Sequence, residues 1–155
     1  MLIIDGTISA DITLFLERIT TDVPTIQLMS YAQWLTAHPT ATTAQGIIYM
    51  RVMPEIAYAR IQKRAQSAAD SVSLEQITHA HQQQEDLFIN KNNMLPELQK
   101  LPVLVLNGTI DFTTDFAQFY NHLFYIKKFL KEIQDIHDLM HGIEKKETKQ
   151  HRHCC

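Results

Sequence analysis

The chain has little of what staples, anchors or steers a protein from outside its core. Its only cysteines, Cys154 and Cys155, close a sequence of 155 residues, so no disulfide framework holds the fold. Lysine and arginine number 14 against 17 aspartates and glutamates, a formal net charge of -3. Such a balance offers no broad basic surface and argues against nucleic acid as a partner. No apolar run approaches the roughly 18–20 residues of a membrane span. Met1 to Ile4 is apolar, but Asp5 and Gly6 follow at once. The basic lead, longer apolar stretch and small-residue cleavage site of a secretory signal are missing. No internal repeat or low-complexity tract stands out. The expectation from these absences is a cytoplasmic protein away from membranes.

What is present fits one soluble domain, with 45% hydrophobic and 20% charged residues. Leu2-Ile3-Ile4 reads as a short buried strand. Gly46 to Val52 is a β-branched and aromatic run of the right length for an interior parallel strand. Val103 to Leu106 is a third run, opened by Pro102 and closed by the Asn107-Gly108 turn signal. Helical patterns lie between them. Asp11 to Arg18 carries a stripe of Ile12, Phe15, Leu16 and Ile19. Tyr31 to Leu35 belongs to another helix, which ends near His38-Pro39 because a residue before proline is pushed out of the α region. Pro54 suits the first position of a helix, where its missing N–H costs nothing, and Glu55 suits the positive helix end. Ser73-Leu74-Glu75-Gln76 reads as a capping box that starts a helix running to about Ile89. The last helix carries Phe116, Phe119, Tyr120, Leu123, Ile126 and Leu130 at helical spacing. Strands alternating with helices predict an α/β fold with a mostly parallel sheet and flanking helices. Three strands are few for such a sheet, which usually has about five or six, so the sheet reads as incomplete. From Ile143 the composition turns to charged and histidine residues that cannot bury a core. The expected organisation is a domain over residues 1–142 and a mobile tail over 143–155.

Chemistry concentrates after the second strand. Arg60 and Arg64 lie i, i+4 and share a helix face, with Lys63 between them. Basic side chains beside the carboxyl edge of a parallel sheet can clamp a transferring phosphoryl group, although the same spacing also fits a solvated helix face. His137 and His141 are spaced i, i+4, but no third metal ligand accompanies them. His151, His153, Cys154 and Cys155 form a terminal cluster of ligand types that reads more simply as an unstructured end. No metal site is expected. His79 and His81 point to different helix faces, and adjacent Glu85 and Asp86 diverge.

The run Ile47-Ile48-Tyr49-Met50-Arg51-Val52-Met53-Pro54-Glu55, followed by Arg60 and Arg64, resembles the deoxynucleoside kinase family. There, a strand of the type Ile-Tyr-Leu-Arg leads through Pro-Glu into an arginine-rich lid. Ser73-Leu74-Glu75, His81 and Glu85 to Ile89 are similar to the helix after that lid. Tyr31 to Trp34 resembles a Tyr-x-x-Trp helix before the strand, and Val103 to Phe112 resembles the last strand and the adenine loop. The shared order spans roughly residues 1–130. The resemblance implies a P-loop kinase-like fold that uses ATP and magnesium to phosphorylate a deoxynucleoside 5′-hydroxyl. It assigns Asp5, Arg60 and Arg64 to catalysis, and Asn107, Thr109, Asp111 and Phe112 to the nucleotide.

The pattern is also broken. Gln62 and Gln66 stand where many members have further arginines, and Ala68 and Ala69 replace acidic residues at the lid's end. Asp5-Gly6-Thr7 stands where the family has Glu-Arg-Ser or Asp-Arg-Ser, and glycine supplies no guanidinium. A phosphate-cradling loop needs G-x-x-x-x-G-K-[ST]. The glycines Gly6, Gly46, Gly108 and Gly142 are never followed by lysine. The first strand and P-loop of the family pattern are therefore missing from this sequence, and the chain is expected to be inactive by itself. The leading expectation is the C-terminal part of such a kinase. The alternative is a non-catalytic α/β binding or dimerisation protein derived from it, paired through the Asp11 and Trp34 helices. A remnant with no role is a third reading, since losing a central strand leaves unpaired edges.

Overall fold

The structure is a computed structural model that describes residues 2–6, 15, 19, 28–29, 44–64, 72–110 and 114–151. Strands β1 (Leu2–Gly6), β2 (Leu28–Met29) and β3 (Gly46–Arg51) come first. Helices α1 (Pro54–Arg64), α2 (Leu74–Phe88) and the short α3 (Pro96–Gln99) follow, then strand β4 (Val103–Asn107) and helix α4 (Phe116–His151). The three strands expected from the sequence are present. The two-residue β2 was not legible, because two residues carry no periodicity.

The sheet is parallel throughout, in the order β2-β1-β3-β4. β1 pairs directly with β3 over the register Leu2↔Gly46 to Gly6↔Met50. Both edges of β1 are therefore paired, one with β2 and one with β3, and the unpaired inner edges named as a possibility from the sequence are not found there. Backbone groups in a buried sheet must find partners, and two neighbouring parallel strands supply them. With four strands, one of them very short, the sheet remains an incomplete version of the α/β P-loop kinase-like architecture.

The β3 run reads as continuously apolar because both of its faces are covered. Ile48 and Met50 join Leu2, Ile4, Phe15, Ile19 and the buried face of α4 in one core. Ile47 and Tyr49 point the other way, with Ile3, Phe88, Met94 and Leu98. A third cluster of Val52, Ala57 and Ile77 joins α1 to α2 just beyond the end of β3.

The local signals act as read. Pro54 opens α1, and the Ala57 N–H donates back to the Met53 carbonyl at 3.0 Å. Ser73 caps α2: its hydroxyl accepts from the Gln76 N–H at 3.2 Å, while the Gln76 side chain accepts from the Ser73 N–H at 2.8 Å. The face of α4 needs correction. Phe119, Leu123 and Ile126 are buried, but Phe116 and Tyr120 are 53% and 62% exposed. The buried stripe turns instead through His122, Phe129 and Ile133. The first turns of the helix lie over the end of the edge strand, so only side chains aimed back at the sheet find cover. The backbone of α4 stays helical through residues 143–151 to His151. Trp34, Tyr31, Ala68, Ala69, His153, Cys154, Cys155 and most of the Asp11 helix lie outside the described residues.

Candidate functional site

In a parallel sheet every strand delivers its carboxyl end to one edge, and ligands bind there by default. Here that edge collects Asp5 and Gly6 from β1, Arg51 from β3, and Asn107 with the turn to Thr109 from β4.

Asp5 is half-buried, and its Oδ1 accepts from the Gly6 N–H at 2.7 Å. The Gly6 carbonyl accepts from Gln84 Nε2 at 2.9 Å, tying α2 to the end of β1. Two buried polar atoms of α2, His81 Nδ1 and Gln84 Oε1, have no hydrogen-bond partner among the described residues.

Arg60 is the residue that joins the elements. Its Nη1 donates to the Gly108 carbonyl at 2.8 Å, and its Nη2 donates to the Thr109 carbonyl. The guanidinium assigned to phosphate by resemblance is therefore held by the turn after β4. Asn107 organises the same turn, its Oδ1 accepting from the Thr109 N–H at 2.9 Å and from the Thr109 hydroxyl at 2.6 Å. Gly108 is a close-packing position: a Cβ there would lie 2.7 Å from Val52 Cγ2 and 3.3 Å from the Arg51 carbonyl oxygen. Arg60, Asn107 and Thr109 are thus brought together, with Asp5 on the same edge two strands away. Arg64 ends α1, but its side chain lies outside the described residues, as do Asp111 and Phe112 in full.

Sequence reasoning missed Glu85. Its Oε1 accepts from the Tyr49 hydroxyl at 2.9 Å and its Oε2 from Arg51 Nη2 at 2.6 Å. His81 Nε2 stands 3.9 Å from Oε1. Tyr49 and Arg51 are i, i+2 on β3 and so share a face, which is what lets one carboxylate take both. That alternation was the available signal. Asp86 diverges as expected and accepts from Asn90 Nδ2 at 2.8 Å. His79 and His81 also separate: His79 is exposed beside Gln83, while His81 is buried.

Along the outer edge of β4, an open cavity of about 470 Å³ is lined by Val105, Asn107, Gln118, Asn121, His122 and Tyr125. The His122 ring nitrogens face the Gln118 carbonyl at 2.9 Å and the Asn107 carbonyl at 3.0 Å, fixing α4 to the end of β4. Among the described residues no three His, Cys, Asp or Glu gather so as to hold a metal ion. His137 is exposed, with Nδ1 3.7 Å from Asp138, and the His141 side chain lies outside the described residues. No described helix is long and apolar enough to cross a membrane.

Comparison with known proteins follows this geometry. A family model described as deoxynucleoside kinase matches residues 1–134. A deoxycytidine kinase, so named as probable, of Fowlpox virus is 30% identical over 103 residues, covering 66% of this chain and 42% of that protein. Deoxycytidine kinase 2 of Gallus gallus is 32% identical over 72 residues, covering 45% of this chain and 27% of that protein. The chain spans under half the length of these curated relatives.

Proposed function

The chain belongs to the deoxynucleoside kinase family, and from that premise we propose that it is the C-terminal part of a phosphotransferase acting on a deoxynucleoside 5′-hydroxyl with ATP. Its contribution is the lid helix α1 and the nucleotide-facing turn after β4. Phosphoryl transfer then needs a phosphate loop supplied from elsewhere, on the same polypeptide or on another.

The observation that carries this reading is the bridge from Arg60 to the Gly108 and Thr109 carbonyls. It sets the lid helix against the turn that the family resemblance gives to adenine, at the carboxyl edge of a parallel sheet. Phosphoryl transfer relies on positioned positive charge more than on covalent chemistry, so a guanidinium at this junction suits the role. When phosphates arrive, Arg60 exchanges two carbonyl acceptors for anionic ones, which are the stronger partners. Asn107, Gln118, Asn121 and Tyr125 around the neighbouring cavity offer amide groups and a ring of the kind that suits a heterocyclic base. The unpartnered His81 Nδ1 and Gln84 Oε1 favour a further polar segment or ligand against this edge.

Magnesium is implied by the family alone. Among the described residues no three His, Cys, Asp or Glu gather to hold it. A non-catalytic binding role is the second reading, favoured by Gly6 standing where the family pattern has an arginine.

Calorimetry tests the proposal. Magnesium-ATP is titrated into the chain alone and into the chain mixed with a P-loop-bearing N-terminal fragment of a family member. The expected result is binding only in the mixture, lost in Arg60→Ala. No binding in either sample refutes the kinase reading and leaves the binding protein.

A further inference from the structure

The backbone groups of β4 divide between its two edges. β3 and β4 run parallel in the register Ile47↔Val103 to Arg51↔Asn107. The first rung between them is the Ile47 N–H to the Pro102 carbonyl at 3.0 Å, and the last is the Gly108 N–H to the Arg51 carbonyl at 2.8 Å. A parallel ladder alternates between such rungs, so Leu104 and Leu106 turn both of their backbone groups toward β3. Val103, Val105 and Asn107 therefore turn theirs away from the sheet. The Asn107 carbonyl faces His122 Nε2 at 3.0 Å on that outer side. The N–H and C=O groups of Val103 and Val105 have no partner among the described residues.

Free strand edges in proteins are usually blunted by lysine, by proline, by a bulge or by a covering element. Val103–Asn107 reads Val-Leu-Val-Leu-Asn, without lysine or proline. Its register is unbroken, so it carries no bulge. Val105 is 41% exposed. Beside this edge lies the open cavity of about 470 Å³. Leu104, Leu106 and Ile110 give it an apolar side, and Gln118, Asn121 and Tyr125 of α4 an uncharged polar one. Among the described residues no lysine, arginine, aspartate or glutamate lines it.

We propose that the outer edge of β4 docks an extended, uncharged segment of a partner protein, which joins the sheet as an added antiparallel strand. One residue of that segment exchanges both backbone hydrogen bonds with Val105, and the residue two positions further along does so with Val103. The residue between them lies opposite Leu104 and turns its side chain into the cavity, because alternate side chains of a strand share a face. An aliphatic or aromatic side chain suits that space. A charged one loses its water there and meets no opposite charge. Two donor–acceptor pairs repeated at the two-residue spacing of a strand match a peptide backbone better than they match one small molecule. The inference does not rest on the proposed activity.

Nuclear magnetic resonance of the full chain tests it, with an end-blocked peptide of alternating threonine and valine as the probe. The peptide is expected to slow amide exchange at Val103 and Val105 about tenfold or more at saturation, with the amides of β1 unaffected. Val105→Pro removes only an N–H that points away from the sheet, a place where an edge strand tolerates proline. It should raise the dissociation constant of the peptide about tenfold, with the circular dichroism of the chain unchanged. Asn121→Glu puts a carboxylate on the exposed wall of the cavity. It should turn the preference toward a peptide in which one valine is replaced by lysine. Exchange at Val103 and Val105 that ignores the peptide, or affinity that survives in Val105→Pro, overturns the proposal. Protection that grows with chain concentration alone gives the edge to a second copy, and protection by adenosine but not by the peptide gives the cavity to a base. Either of these results also overturns it.

Discussion

Replacing Glu85 by alanine should loosen the end of β3 from α2, and the size of the effect follows from two contacts. Tyr49 is fully buried, and its hydroxyl donates to Glu85 Oε1 at 2.9 Å. A hydrogen bond to a charged group contributes about 1.5–3 kcal/mol, and its removal takes the Glu85 acceptor from a buried donor. Arg51 donates to Glu85 Oε2 at 2.6 Å, but its side chain is 47% exposed. Solvent screening limits that pair to about 0.2–1 kcal/mol. Together the loss is about 2–4 kcal/mol. For a chain of this size that lowers the thermal midpoint by roughly 5–15 °C. Urea unfolding monitored by circular dichroism measures the change through the transition midpoint at unchanged slope. Glu85→Gln keeps an acceptor for Tyr49 and should lose less than Glu85→Ala. In a Tyr49→Phe background, Glu85→Ala should cost about 1–2 kcal/mol less than in the parent. If Glu85→Ala unfolds within about 0.5 kcal/mol of the parent, or if Tyr49→Phe leaves its cost unchanged, the clamp does not hold the strand.

Ser73→Ala removes the hydroxyl that accepts from the Gln76 N–H and should destabilise α2 by about 1 kcal/mol, read as faster amide exchange in its first turn. Gly46→Ala places a Cβ 2.7 Å from Ile133 Cδ1 and 3.0 Å from Phe129 Cζ. The loss of about 1–3 kcal/mol from overpacking should appear as a lower urea midpoint, and equal stability would mean that the ends of the Ile133 and Phe129 side chains give way to the added methyl. Gly108→Ala meets Val52 Cγ2 at 2.7 Å and the Arg51 carbonyl oxygen at 3.3 Å. It should displace the turn that Arg60 caps, visible as changed nuclear magnetic resonance shifts at Thr109 and Ile110 with those of β1 unmoved.

What the sequence could say was local or periodic. Pro54 at a helix start, the Ser73–Gln76 box and the apolar runs of β1, β3 and β4 depend on neighbours within four residues, so their outcome is encoded where they stand. The family was legible for a related reason: Tyr49, Arg51, Pro54, Glu55 and Arg60 sit on consecutive elements in a fixed order, and order survives in a linear string. The tertiary structure decided the rest. Tyr49 meets Glu85 across 36 positions and Arg60 meets Gly108 across 48, and nothing within a turn of either residue specifies the partner. Direct pairing of β1 with β3 depends on which strand edges lie free to meet, a property of the whole sheet. The same holds for α4, whose apolar periodicity offered Phe116 and Tyr120 to the core as plausibly as Phe129 and Ile133. Only the reach of the sheet beneath the helix chose between them, because burial requires a surface on the other side.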